Sequence, residues 1–152
     1  MLENISIIIY NISSSHKLLE YTRIVHGFGI KNIVIAKAIG SASQLGIPEL
    51  FKLALRHNLS VIVLNDLNEV KEYLRIDKLY FLSNKCRSEI DPLLNDVKLN
   101  FKIGLVVHGS DLSFTPKELE LGKELCVIDR DVSSIALLVI TLYELLKRLS
   151  SQ

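Results

Sequence analysis

Several common protein classes are ruled out by what this sequence lacks. It holds two cysteines, Cys86 and Cys126, with no Cys-x-x-Cys, no histidine pair nearby and no secretory signal. A disulfide framework and a structural zinc are therefore not expected, and a reducing cytoplasmic setting is. The longest unbroken apolar run, residues 135–140, falls far short of the roughly 20 residues that span a bilayer. No low-complexity tract, Walker loop or Gly-x-Ser-x-Gly turn occurs. Gly27-Phe28-Gly29 is no dinucleotide fingerprint, because it follows a helix and no third glycine stands at the right place. An excess of one charge is missing too: 18 Lys and Arg against 17 Asp and Glu leave +1, which excludes a strongly basic nucleic-acid binder by bulk charge but not by patch.

What remains is a chain of 152 residues, 49% hydrophobic and 23% charged, which fits a single domain spanning residues 1–152. A chain of this size buries about two thirds of its unfolded surface and needs no staples. Residues 1–60 hold six basic groups (Lys17, Arg23, Lys31, Lys37, Lys52, Arg56) against three acidic ones (Glu3, Glu20, Glu49), so a polyanion would meet the N-terminal half.

Apolar, β-rich runs at 5–10, 32–35, 60–64, 78–82, 102–107 and 124–128 predict six strands. Between them lie helix signals. Ser15 caps a first helix to about His26, with Leu18, Leu19, Thr22, Val25 and His26 on one face. Residues 36–43 read as a flexible loop, Pro48 opens a helix to Arg56, and residues 65–75 form a third. Residues 83–100 read as a loop with a short helix. Thr115-Pro116-Lys117-Glu118 carries a capping box with proline at the first helical position, and Gly122 closes that short helix. Strands alternating with helices predict an α/β fold: a mostly parallel open sheet covered by helices on both faces.

The last helix, 135–149, is apolar on almost every side, so one sheet cannot cover it and part should meet a second subunit, with Leu142 as the probe. At about 22 Å it is long enough for a two-fold contact. Its start, Ser133-Ser134, and the strand ending in His108-Gly109-Ser110-Asp111 are candidate parts of one site, since open α/β sheets bind ligands beyond their strand ends. Gly109 suits a sharp turn or a close ligand, and Ser133 and Ser134 can cap the helix or hold a polar ligand atom. Asp66 with Glu69-Val70-Lys71 has the residue types of metal-dependent nucleases. That chemistry needs two adjacent strands, whereas these residues open a helix, so no metal site is expected.

Gly109-Ser110-Asp111 after a buried strand, Val127-Ile128, and Val132-Ser133-Ser134-Ile135 opening a helix through Leu142-Tyr143-Glu144 resemble the second and third motifs of the SpoU branch of the SPOUT RNA methyltransferases. Arg23, six residues before Gly29, matches the arginine of the first motif; Lys17 and Leu19 stand where that motif has asparagine and glycine, and Asp111 where the second has glutamate. The third motif's asparagine falls on Ala136 or Ser134. The chain is also similar to a small archaeal group described both as SpoU-like and as RecB-family nucleases. The resemblance implies a C-terminal trefoil knot and an S-adenosylmethionine cofactor held by Val107, His108, Gly109, Ser110, Val127, Ile128, Ser133, Ser134 and Ile135. It implies Arg23 beside the acceptor, tRNA or rRNA as partner, ribose 2′-oxygen as the default target, and a homodimer through the last helix. A non-catalytic RNA- or ligand-binding module of the same fold is the alternative, and a metal nuclease a third reading.

Overall fold

The computed structural model describes residues 2–86 and 90–151, so residues 87–89 of the expected loop at 83–100 lie outside the described residues. Six strands form one sheet in the order β3-β2-β1-β5-β4-β6, every pair parallel. The strands are β1 (Ile5–Ile12), β2 (Asn32–Ala38), β3 (Ser60–Leu64), β4 (Lys78–Leu82), β5 (Ile103–His108) and β6 (Lys123–Leu125). The helices are α1 (Ser15–Gly27), α2 (Ile47–His57), α3 (Leu67–Leu74), α4 (Asp91–Lys98), α5 (Pro116–Leu119) and α6 (Ser134–Ser150). Among the described residues no helix is long and apolar enough to cross a membrane.

A strand flanked by others and covered on both faces must be apolar on both. This is why β1 and β5, which pair in the middle of the sheet, are nearly all buried. Ile5, Ile7 and Ile9 of β1 pack into one layer with Leu18, Tyr21 and Val25 of α1, Leu93 and Val97 of α4, and Leu138, Leu142 and Leu145 of α6. Ile8 faces the other way, joining Phe81, Val106, Leu67 and Val70 under α3. Ser14, not Ser15, caps α1, accepting a hydrogen bond from the Lys17 N–H.

Three expectations need correcting. Residues 36–43 are not a plain loop: β2 runs to Ala38, Lys37 holds a left-handed φ of 68°, and a π-helix follows over Ala42–Gly46. The Ser41 hydroxyl donates to the Ser13 carbonyl and accepts from the Ser15 N–H, tying this segment to the start of α1. Cys86 and Cys126 form a disulfide, with Cα atoms 5.7 Å apart. The pairing has no local signature because it arises from register: β4 and β6 align Leu82 with Leu125, and the cysteines meet just beyond. Leu142 is not an interface residue but a core one, 1% exposed, whereas Tyr143 beside it is 58% exposed. Val139, Tyr143 and Leu146 share the outward stripe, spaced four and three apart.

Candidate functional site

The sheet's order turns at its centre, where the chain places β5 and β4 on the side of β1 opposite to β2, and crevices beyond such carboxyl ends bind ligands in this architecture. Here a cavity of about 260 Å³ opens beyond β4 and β5. One wall comes from the end of β5 and the start of α6: His108, Asp111 and Ser134, with Leu137 one turn on. The other is Leu82, Ser83, Asn84 and Lys85 after β4 with Asp131 and Val132 after β6, and Phe114 and Leu112 complete it.

The first wall is held by internal hydrogen bonds. The Ser134 hydroxyl donates to the Ser110 carbonyl at 2.7 Å, and the Ser134 N–H donates to the Asp111 carboxylate at 3.0 Å. Lys17 Nζ lies 3.5 Å from the same carboxylate. The Ser134 N–H holds the Asp111 carboxyl below its usual range, partial burial opposes this, and Lys17 adds to the lowering. The Lys17 ammonium and the Asp111 carboxylate thus offset each other's charge at this wall. Behind them the buried Tyr21 hydroxyl donates to the His108 carbonyl at 2.8 Å. The Ser133 hydroxyl accepts from the Ala136 N–H, making it the N-cap of α6. Most of the polar groups at this helix start therefore already have protein partners.

His108 is buried, edge-on to Tyr10 and tilted against Phe114. Its Nδ1 accepts from the Ser110 N–H at 3.1 Å, which places the proton of the neutral ring on Nε2. Burial lowers its pKa, Glu118 pulls it partly back, and Lys17 lowers it further. Burial also pushes the Tyr10 phenol up to about 12, with Glu118 adding to the rise.

The close approach at Gly109 is to protein. A Cβ there would come within 2.5 Å of the Asn11 carbonyl oxygen and of the Ile12 Cα, so the missing side chain lets β5 end against the backbone of β1. The expected cofactor residues divide into groups. His108 and Ser134 line the first cavity; Val127 and Ile128 line a second of about 290 Å³, with Ile90, Asp91, Ile140, Glu144 and Arg148. Ser110 and Ser133 support the first wall through hydrogen bonds, while Val107 is core and Ile135 packs half-buried against it. Arg23 is exposed, lines neither cavity, and has no hydrogen-bond or ion-pair partner among the described residues. The loop after β4 carries no signal of a site in its own sequence, because only the strand order reveals that it faces the β5 turn.

Asp66 and Glu69 both act as helix-capping groups. Glu69 accepts from the N–H groups of Asn65 and Asp66, and Asp66 accepts from the Glu69 N–H, a capping box at the start of α3. Among the described residues the one cluster of three metal-ligating side chains is Cys86, Glu124 and Cys126.

Comparison with solved structures agrees with the expected fold. A probable methylase family protein from Haemophilus influenzae superposes with a TM-score of 0.74 at 17% identity, covering 99% of this chain and 67% of that one. The SpoU methyltransferase AviRb from Streptomyces viridochromogenes, in complex with the cofactor AdoMet, superposes at 0.73 and 11% identity, covering 96% and 58%. The fold is that of the SPOUT methyltransferases. In sequence, the chain is 34% identical over 145 residues to "Putative type II restriction enzyme MjaORF1200P" of Methanocaldococcus jannaschii, covering 94% of this chain and 97% of that protein. Residues 40–144 match the family described as RecB-family nuclease (DUF2122), and with the whole-length relative this shows that the chain belongs to that family.

Proposed function

We propose that the protein is an S-adenosylmethionine-dependent RNA methyltransferase whose cofactor occupies the cavity between the β5–α6 wall and the β4–β6 wall. The observation that carries this is the Ser110–Ser134 junction, which places two widely separated motifs on one wall of a cleft in a SPOUT fold. At about 260 Å³ the cavity is slightly below the usual range for small-molecule sites, so it suits a nucleoside with the remainder of the molecule lying outside. Leu82, Leu112, Val132 and Leu137 offer apolar contact to a base, and Asp131 and Asn84 offer polar partners to a ribose. Bound there, S-adenosylmethionine supplies an electrophilic methyl group. The protein's task is to orient an RNA hydroxyl toward it, and Arg23, exposed and without a partner among the described residues, is the residue proposed to do so, in the site of a partner subunit.

That partner is a second copy of the chain, docked through the Val139, Tyr143 and Leu146 stripe of α6. The return of the chain from β6 past the segment after β4 to the start of α6 fits a trefoil knot, and an RNA substrate fits a cytoplasmic setting. A second reading is favoured by two observations: Lys17 pairs with Asp111, and the motif asparagine is absent, as in a fold that has kept its cleft and lost its chemistry. The name of the Methanocaldococcus relative supplies a third, a metal-dependent nuclease, which the capping roles of Asp66 and Glu69 do not support.

The test is transfer of tritiated methyl groups from S-adenosylmethionine to total RNA. Wild type transfers label, and Arg23→Ala loses transfer while its cofactor affinity stays within about twofold. No transfer by wild type, with cofactor still bound, leaves the binding module. Mg²⁺-dependent cleavage of nucleic acid, lost in Glu69→Ala, contradicts both.

A further inference from the structure

The two walls of the cleft are fastened by different means. The β5–α6 wall is closed by hydrogen bonds from Ser134 and Tyr21 and by the Lys17–Asp111 ion pair. The opposite wall consists of two segments that leave the sheet side by side, residues 83–86 after β4 and 126–132 after β6. The last backbone hydrogen bond joining them is Ser83 N–H to Leu125 carbonyl, at 3.0 Å. Beyond it, the described ties are the Asn84 amide to the Arg130 carbonyl at 3.0 Å, its weaker contact with Asp131, the Cys86 N–H to Cys126 Sγ, and the disulfide itself.

We propose that Cys86 and Cys126 are a thiol–disulfide modification site whose oxidation state sets the order of the ligand-binding wall. Cys86 directly follows the cavity-lining Ser83, Asn84 and Lys85, and Cys126 precedes Asp131 and Val132 on the same wall. The bond therefore spans the base of the wall. Cys126 is 1% exposed and Cys86 is half-buried, so a small thiol reaches the pair from the Cys86 side. The co-reactant is a low-molecular-weight disulfide. The protein dithiol and one such disulfide exchange to give the Cys86–Cys126 bond and two molecules of small thiol, the protein losing two electrons and two protons to them. Reduction reverses this and leaves the Asn84 amide as the main remaining tie. Because the pair closes a span of 40 residues that includes β5, α5 and β6, its loss also loosens the unfolded chain.

The proposal rests on the reading of this cavity as a ligand site, but its primary readout does not. Hydrogen exchange is followed by mass spectrometry on the full chain, oxidised with glutathione disulfide, reduced with dithiothreitol, and as Cys86→Ser with Cys126→Ser. In short labelling pulses, reduction and the double variant should speed exchange about tenfold or more in residues 83–86 and 126–132 while 104–111 and 134–145 stay protected, and should lower Tm by about 10 °C. Affinity for S-adenosylmethionine should fall at least about tenfold in the same two samples. If exchange divides as stated while no sample binds S-adenosylmethionine, the switch stands and the methyltransferase reading fails. Equal exchange in the oxidised and reduced protein overturns the proposal. So does recovery of both cysteines as free thiols after incubation with glutathione disulfide. Stoichiometric Zn²⁺ binding by the reduced chain, with exchange as slow as in the oxidised form, also overturns it, since Cys86, Cys126 and Glu124 would then serve as metal ligands.

Discussion

The two walls of the cleft are both made of strand ends running into a loop, yet they differ in how their polar groups are satisfied. On the β5–α6 side each named group has a protein partner: Ser134 with Ser110 and Asp111, Ser133 with Ala136, Tyr21 with the His108 carbonyl, His108 Nδ1 with Ser110. On the β4–β6 side Lys85 is exposed, and the hydrogen bonds that cross the wall through side chains are those of the Asn84 amide and of Cys86 N–H to Cys126 Sγ. Buried, satisfied networks resist change because each broken partner leaves a desolvated group behind. The first wall is thus a fixed frame, and the second is where a ligand can be recognised and where order can be adjusted.

The comparison breaks most severely at Gly109. Gly109→Ala forces a Cβ against the backbone of Asn11 and Ile12, so the frame must open, and denaturant unfolding should show a loss of about 3 kcal/mol or more. An unchanged midpoint would mean that β1 and β5 yield easily. Tyr21→Phe is next. It leaves the buried His108 carbonyl without its donor and should cost about 1–2 kcal/mol in the same experiment; a cost near zero would remove Tyr21 from the frame.

Acid should act on the frame as well. The His108 pKa is lowered on folding, so the unfolded chain binds the proton more readily, and the stability this residue contributes is complete above pH 6.5. It is lost as pH falls from 6.5 toward the lower folded value. Wild type should therefore lose Tm between pH 7 and pH 5 by more than His108→Asn does, and parallel curves would contradict the assignment. Asp111 behaves in the same sense at lower pH, its contribution being lost below the ordinary carboxylate range. The smallest change belongs to the other wall: Asn84→Ala should alter stability by no more than about 0.5 kcal/mol while raising hydrogen exchange in residues 126–132 severalfold.

The sequence and the structure agree where the information is local. The strands at 60–64 and 78–82 have the same limits in both, and the capping box at Thr115 and Glu118 forms as its spacing predicts. Ser133 caps α6 as a serine before an apolar run should. What escaped is set by distant neighbours. Tyr21 looks like any helical aromatic until β5 places a carbonyl against it. The Cys86–Cys126 bond and the part of residues 82–85 in the cleft follow from β4 lying between β5 and β6, and no window of sequence encodes that order. Gly109 was legible as a position needing glycine, but the neighbour that requires it is β1. The left-handed Lys37 lacks the glycine or asparagine that usually marks such geometry, and the π-helix over Ala42–Gly46 ends on a glycine whose close neighbours, Ser15 and Leu18, belong to α1.

The most direct measurement is isothermal titration of S-adenosylmethionine into wild type and Val132→Trp, a substitution that fills the cavity from the β4–β6 wall and replaces no residue of the frame. Wild type should bind one equivalent per chain, and the variant should lose at least about tenfold in affinity with its Tm unchanged. Equal binding by both proteins, or no binding by wild type, would contradict a cofactor site in this cleft.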